Sequence, residues 1–518
     1  MQPNRTKSTL INTLFAIVSR FATMIFGFVQ KTVFIRVLGI SYAGVSGLFT
    51  DILTVLSLAE LGIGSAIAYS LYKPIAENDY KRIAQLMNFF KKAYWLIAGV
   101  ILSIGVALLP FIDYLVTDVP DIVEDIRLIF FLYIINTAAT YLLVYKNTLL
   151  VAAQKQYVVS NIQTIFAVVS TTAQCIVLLV FRNFIAFLLL QIVCSFLQNL
   201  TINYIAGKKY PQLKEYRSEK IPKEDRKALF KDIRALLMYK ISNVILTGTD
   251  STIISTSLGT GQVGILGNYR TIRGYVTSIV AQFYNSINPS LGNLAATAGP
   301  EEQFALFKKL NFGTFWLACF CGTSFFCLFN PFITIWLGND QWLLPMLTVG
   351  VYVLEYYLST MIGPVGAFRM ANGLFVQTKY IALTKAILNL IISILLVKPM
   401  GILGVLLGTV LSDVLTQMWY EPIVVYKEVF KKSAVHYFGT FFMYLGITVA
   451  AAAIVSALSL LLSPMNAVIA FLIQIVFCVI VPNGLIVLLF HRTPEFKACI
   501  TLIKKIVSSA TSKIFRRK

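Results

Sequence analysis

Residues 34–74 read FIRVLGISYAGVSGLFTDILTVLSLAELGIGSAIAYSLYKP. The run is apolar enough to enter a bilayer, yet Asp51 and Glu60 lie inside it. A carboxylate near a bilayer centre costs on the order of a few kcal/mol unless it faces a bundle interior or a wet cavity. The two acids therefore point to a polar path between helices rather than to a plain anchor. The stretch also has a later counterpart. Leu38-Gly39, Ala43-Gly44 and Gly47 recur as Leu258-Gly259, Val263-Gly264 and Gly267, all 220 residues on, and Pro110-Phe111-Ile112 recurs as Pro331-Phe332-Ile333. Two homologous halves explain this spacing, and internal membrane repeats are typical of secondary transporters.

Composition agrees. The 518 residues are 57% hydrophobic and 13% charged, with a mean hydropathy of +0.76, which fits a polytopic membrane protein and no water-soluble class. The net charge of +21 sits in short loops and in the tail, where basic residues act as topology signals, so nucleic acid is not an expected partner. Arg5 and Lys7 precede a first apolar run longer than a secretory signal, with no small-residue cleavage site to close it, so the first helix is expected to stay.

Known chemistries are sparse. Cys175, Cys194, Cys319, Cys321, Cys327 and Cys478 fall in apolar runs and Cys499 in the polar tail, which makes no disulfide framework. His436 and His491 stand far apart, so no metal site is expected. Gly207-Lys208-Lys209 lacks the leading glycine and the hydroxyl residue of a phosphate cradle, which argues against ATP hydrolysis. The chain is read as a non-enzyme without a cofactor.

A helix needs about 20 mostly apolar residues to cross the hydrocarbon. On that ruler about fourteen crossings are expected, near 10–36, 42–71, 93–116, 126–152, 157–181, 184–206, 236–258, 263–290, 311–336, 343–367, 378–397, 401–425, 436–462 and 466–490. Alternate loops separate by charge. One set holds Lys73, Lys81, Arg82, Lys91, Lys92, Lys155, the cluster from Lys208 to Arg234, Lys308, Lys309, Arg369, Lys427, Lys431 and Lys432. The other holds Asp113, Asp118, Asp121, Glu124, Asp125 and Asp340, with Arg182 and Lys398 as exceptions. The positive-inside rule then puts both termini in the cytoplasm.

The expected organisation is an N-lobe over 1–206, a basic linker over 207–235, a C-lobe over 236–427, two added helices over 428–490 and a basic amphipathic tail over 491–518. Six crossings per lobe is even, so the pseudo-two-fold axis runs along the membrane normal. The basic segments Lys223–Leu237 and Arg492–Lys518 carry apolar residues at helical spacing, which suits helices lying at the inner membrane surface. The last two helices are either a packing accessory or a lipid-facing groove.

Charges inside the apolar runs are the candidate site. Arg20 and Lys31, eleven residues apart, lie about 20° apart in azimuth. An anionic group is the natural occupant of that face, although Lys31 near a helix end also suits snorkelling. Arg270 and Arg273, one turn apart beside Asn268, Tyr269 and Tyr275, can hold a phosphate or pyrophosphate by forked hydrogen bonds. The alternative is an ion pair with Asp51 or Glu60, because the helices carrying them are repeat equivalents. Lys146 after Tyr141 and Tyr145, and Lys240 on the same expected crossing as Asp250, extend the cationic set. Asp51, Glu60, Asp250, Glu355 and Asp413 are the candidates for ion coupling or gating, and Lys385 on the eleventh expected crossing completes the set of charges. Each of these acids also suits a structural hydrogen-bonding role.

The run from Leu38 to Tyr94, through Gly44-x-x-Gly47-Leu48-Phe49 and Ala59-Glu60-Leu61-Gly62-Ile63-Gly64-Ser65-Ala66-Ile67, resembles the Wzx-type polysaccharide flippases of the MOP superfamily, which serve O-antigen, capsule and exopolysaccharide assembly. The resemblance implies that an undecaprenyl-pyrophosphate-linked oligosaccharide moves from the inner to the outer leaflet of a bacterial plasma membrane by alternating access. It implies membrane lipids, a polymerase with its assembly proteins, and a coupling ion, H+ or Na+, as partners. Arg20, Arg270 and Arg273 would then meet the pyrophosphate. Rivals within the superfamily are a teichoic-acid precursor flippase, a lipid II flippase and a MATE-like exporter. Lipid II flippases resemble this chain but carry Arg, Gly and Arg-Asp along the first helix, where this chain has Met24, Gly27, Gln30 and Lys31. MATE exporters prefer an acidic cavity. A non-transporting scaffold would not need buried charge in both halves, and a polymerase would show a large external loop.

Overall fold

The computed structural model describes residues 23–60, 70–71, 74–75, 77–116, 122–153, 155–216, 219–222, 248–338, 340–501 and 504. Among the described residues there is no strand, and the fold class is the expected all-α membrane protein. Ten helices among them are long and apolar enough to cross a membrane, and Ile40–Leu56 is a shorter apolar helix. The chain divides into two compact units, Met1–Gly267 and Asn268–Lys518.

The first unit contains α1 (23–38), α2 (Ile40–Leu56), α3 (Tyr80–Leu108), α4 (Ile126–Leu143), α5 (Tyr145–Ala152), α6 (Gln156–Phe181), α7 (Phe184–Lys209) and α8 (Asp250–Leu258). It ends within α9 (Thr260–Thr297). Phe90, Tyr94, Ile97 and Ile101 of α3 close a core with Leu149 and Ala152 of α5, and Leu150, Val159 and Ile162 meet Ile202 and Ala206 in a second. Phe34, Tyr42, Phe184 and Phe187 join α1, α2 and α7 by aromatic contacts with centroids 5.3–6.0 Å apart.

Residues 248–267 belong to the second sequence repeat but pack in this unit, because the repeat glycines make room for them. A β-carbon on Gly44 would fall 2.0 Å from the Thr260 carbonyl oxygen, and one on Gly264 would fall 2.6 Å from the Ile40 carbonyl oxygen. Ile40 and Thr260 are themselves 220 residues apart, so the close approach of α2 and α9 obeys the repeat. The connections entering the two helices match as well, with Gly39 at φ +100° and Gly259 at φ +93°, a region that L side chains rarely adopt.

The second unit is arranged about α10 (Pro300–Leu337). It continues with α11 (Met346–Met361), α12 (Gly363–Ala371), α13 (Phe375–Met400), α14 (Ile402–Leu415), α15 (Gln417–Val425), α16 (Val435–Leu460) and α17 (Ala467–Phe490), and a last helix, α18, covers 494–501. Phe307, Phe312 and Phe315 of α10 anchor an aromatic core with Phe368, Tyr426, Phe430, Tyr437 and Tyr444, in which Phe315 stacks on Tyr444 at 3.9 Å. The opposite faces of α16 and α17 leave Val449, Leu472 and Leu488 exposed, as hydrocarbon-facing helices require. Over the described part of the tail, Phe496 of α18 stacks on Trp316 of α10 at 5.3 Å, and Glu495 meets Lys308 at 3.8 Å. The tail's aromatic residue is spent on the protein because Trp316 of α10 lies against it.

Candidate transport-path charges

In the second unit three ion pairs stand on neighbouring helices. Arg273 on α9 is held by Glu355 on α11 through both guanidinium arms, Nη1 to Oε2 at 2.5 Å and Nη2 to Oε1 at 2.8 Å. Its guanidinium carbon also lies 4.8 Å from the Tyr352 ring centroid and 5.7 Å from that of Tyr356, so the fork is fixed by carboxylate and ring faces together. Lys385 on α13 pairs with Asp413 on α14 and donates to Gln417 Oε1 at 3.0 Å. Arg369 on α12 pairs with Glu421 on α15 at 3.6 Å, both side chains 5% exposed, and donates to Thr378 at 3.0 Å. Asp413, Gln417 and Glu421 follow one another at helical spacing across the break at Thr416, which is why one strip of chain can serve two cations.

The remaining cations and acids fall elsewhere. Arg270 lies on α9 one turn before Arg273. Tyr269 is fully buried, donating to Asn330 Oδ1 at 2.6 Å and accepting from the Leu344 N–H at 2.9 Å. The structure thus places it as a tie between α9, α10 and the segment before α11. In the first unit Lys31 is half-buried on α1, and the Lys146 ammonium lies 3.5 Å from the Asn203 carbonyl oxygen on α7. Asp51 accepts from the Ser251 hydroxyl, next to the buried Asp250 at the start of α8. Glu60 ends the short turn Ser57–Glu60 that follows α2 and receives Tyr94 and Tyr141 hydroxyls at 3.4 and 3.3 Å. Arg20 and Lys240 lie outside the described residues. Among the described residues no three His, Cys, Asp or Glu side chains come together as a metal site.

Sequence reasoning named both halves of the Arg273–Glu355 pair but looked to Asp51 or Glu60 for the partner. Arg369 reads as a loop marker in the sequence, yet it is buried. Glu421, a second acid beside Asp413 in one apolar run, was the signal for it: a carboxylate there needs a cation close by.

A multi-pass α-helical bundle with carboxylates and cations paired inside it is the architecture of a membrane transporter. The chain belongs to the family described as "Polysaccharide biosynthesis protein", whose profile matches residues 9–294. Among curated proteins none matches it. Of solved structures, the lipid II flippase MurJ in an inward closed conformation is 13% identical, with a TM-score of 0.70 over 92% of this chain and 99% of that one. A multidrug resistance MATE family transporter of the MOP superfamily, inward-facing, is 12% identical with a TM-score of 0.58 over 77% and 94%. The Vibrio cholerae MATE transporter VcmN, in a mutant form, is 14% identical with a TM-score of 0.55 over 82% and 98%. The fold is that of the MOP-superfamily transporters.

Proposed function

We propose that this chain carries an undecaprenyl-pyrophosphate-linked oligosaccharide from the inner to the outer leaflet of a bacterial plasma membrane by alternating access, with both termini in the cytoplasm. The observation that carries the reading is the forked hold of Glu355 on Arg273. A guanidinium fork matches a phosphate as well as it matches a carboxylate, so the same donors can pass from one to the other. Membership of a polysaccharide biosynthesis family supports a glycan-bearing cargo. Arg270 and Arg273 are the proposed pyrophosphate ligands, with Arg20, Lys31, Lys146 and Lys240 as further cationic lining. Asp51, Glu60, Asp250, Glu355 and Asp413 are the proposed residues for H+ or Na+ coupling or gating, and the glycan polymerase and its assembly proteins are the proposed downstream partners.

The test is complementation of a flippase-deleted, capsule-producing strain by the chain and by Arg270→Ala/Arg273→Ala, with surface polysaccharide and membrane protein measured together. Restored surface glycan with the first and none with an equally abundant second is the expected result. An active double variant would remove the pair from the cargo path, and an inactive wild type across several glycan backgrounds would remove the reading.

A further inference from the structure

In the first unit the end of α7 and the start of α6 come together, and three ammonium groups stand there. Lys208 and Lys209 close α7 and are exposed, while Lys155 precedes α6 and is half-buried. Other surface lysines are met by carboxylates: Lys81 by Glu219 at 3.4 Å, Lys308 by Glu495 at 3.8 Å and Lys432 by Glu301 at 2.8 Å. Among the described residues Lys155, Lys208 and Lys209 have no such partner. Two of the three are set against aromatic rings instead. The Lys209 ammonium lies 5.6 Å from the Tyr157 ring centroid, and that of Lys155 lies 4.5 Å from the Tyr210 centroid and donates to its hydroxyl at 3.1 Å. Tyr210 in turn packs against the core formed by Leu150, Val159, Ile162, Ile202 and Ala206, which gives Lys155 a fixed base.

Helix length sets the depth of these groups. Each of the two helices has 26 residues, about 39 Å at 1.5 Å per residue, against about 30 Å of hydrocarbon. Arg182 and Asn183, the exposed link between them, mark one boundary. The surplus of about six residues then falls at the other end, which puts Tyr204 at the edge of the hydrocarbon and Lys208 and Lys209 in the headgroup layer. Between the two boundaries the surface is apolar. Leu189, Val193, Leu197, Leu200 and Tyr204 follow at intervals of three or four as one exposed stripe on α7 that runs into Lys208. Ile165, Val169 and Ile176 make a second on α6 that begins at Tyr157. The matching partner is anionic at one end and aliphatic along its length. A free phosphate would leave both stripes uncovered, and a zwitterionic headgroup brings an ammonium of its own that the lysines repel.

We propose that Lys155, Lys208 and Lys209, backed by Tyr157 and Tyr210, bind the phosphodiester of an acidic phospholipid whose acyl chains lie along the exposed stripes of α6 and α7. The lipid is a resident partner that stays in its leaflet, so the inference goes beyond the cargo reading and does not depend on it.

Native mass spectrometry of the full chain, released from nanodiscs of equal parts dioleoyl-phosphatidylglycerol and dioleoyl-phosphatidylethanolamine, tests it. The expected result is retention of phosphatidylglycerol in preference to phosphatidylethanolamine. In Lys208→Gln/Lys209→Gln its apparent affinity should fall about 25-fold, at about fivefold for each basic residue removed from an anionic surface. Tyr157→Leu keeps every charge and should still weaken binding about threefold, the loss of one exposed cation–π contact. Lys308→Gln/Lys309→Gln removes the same charge from α10 and should leave binding unchanged. Thermal unfolding of each variant confirms that it is folded, and Lys155→Gln replaces any that is not. No preference for phosphatidylglycerol would overturn the site. Equal loss in the α10 variant would overturn it in favour of diffuse surface charge, and glycerol 3-phosphate bound as tightly as the lipid would overturn it in favour of a simple anion site.

Discussion

Gly44 and Gly264, equivalent positions of the two sequence repeats, each sit where the other repeat's helix leaves no space for a side chain: a β-carbon on the first would lie 2.0 Å from the Thr260 carbonyl oxygen and one on the second 2.6 Å from that of Ile40. Both obstacles are backbone, so no rotamer change relieves them. Gly47 is different, since its β-carbon would meet only the Val263 side chain at an ordinary 3.6 Å. Gly44→Ala is therefore expected to lose about 1–3 kcal/mol, the usual cost of overpacking, and Gly47→Ala less than about 0.5 kcal/mol. Thermal unfolding of the two purified variants in one detergent checks the contrast, and equal midpoints would show that α2 and α9 separate freely.

That crossing was legible because a repeat written in glycines encodes backbone distance directly. The ion pairs were only half legible. Sequence shows that Arg273, Glu355, Lys385 and Asp413 must be sheltered from hydrocarbon, but which face of each helix turns to which neighbour depends on packing among α9, α11, α13 and α14. Pairing Arg273 with Asp51 or Glu60 followed from repeat equivalence alone, and the nearer α11 supplies Glu355 instead. The tail is legible only as a pattern, because an amphipathic helix has the same one whether its apolar side meets lipid or, as Phe496 does, a tryptophan.

Arg273 and Glu355 separate a structural role from a cargo role. If the pair only holds α9 to α11, Glu355→Gln leaves a largely buried guanidinium without its carboxylate, and Arg273→Gln/Glu355→Gln recovers most of what either single change loses. If Arg273 also serves the cargo, the double variant recovers stability but not transport. The second result is expected. Unfolding midpoints rising by the equivalent of about 1–3 kcal/mol from single to double variant, with surface glycan still absent, would establish it; recovery of both would assign the pair to structure.

Phe496 is the hinge pin of the tail. It stacks on Trp316 at 5.3 Å and meets Phe312 at 6.4 Å, while the exposed Lys308 and the half-buried Glu495 form a pair worth about 0–1 kcal/mol. Phe496→Ala should cost about 3 kcal/mol at most, since the site lies at the edge of the core, whereas Glu495→Gln should leave the midpoint nearly unchanged. Limited proteolysis gives a second reading, with the tail cut sooner in Phe496→Ala and at the wild-type rate in Glu495→Gln.

Arg369 and Glu421 pose the question in its buried form. Both side chains are 5% exposed, and the guanidinium also meets the Thr378 hydroxyl. Removing one partner of such a pair strands the other, a loss of about 3–5 kcal/mol, and Glu421→Gln or Arg369→Met should each reduce the yield of folded protein sharply. Replacing both by apolar groups removes two desolvated charges together, which is often close to neutral. Arg369→Met/Glu421→Leu is thus expected to return the midpoint to within about 1 kcal/mol of wild type. Surface glycan in that double variant then decides the pair's purpose. Restored export would mean that the charges only position α12 against α15, whereas a stable protein that exports nothing would place the pair in the conformational cycle, since apolar substitutes hold one packing but cannot exchange partners.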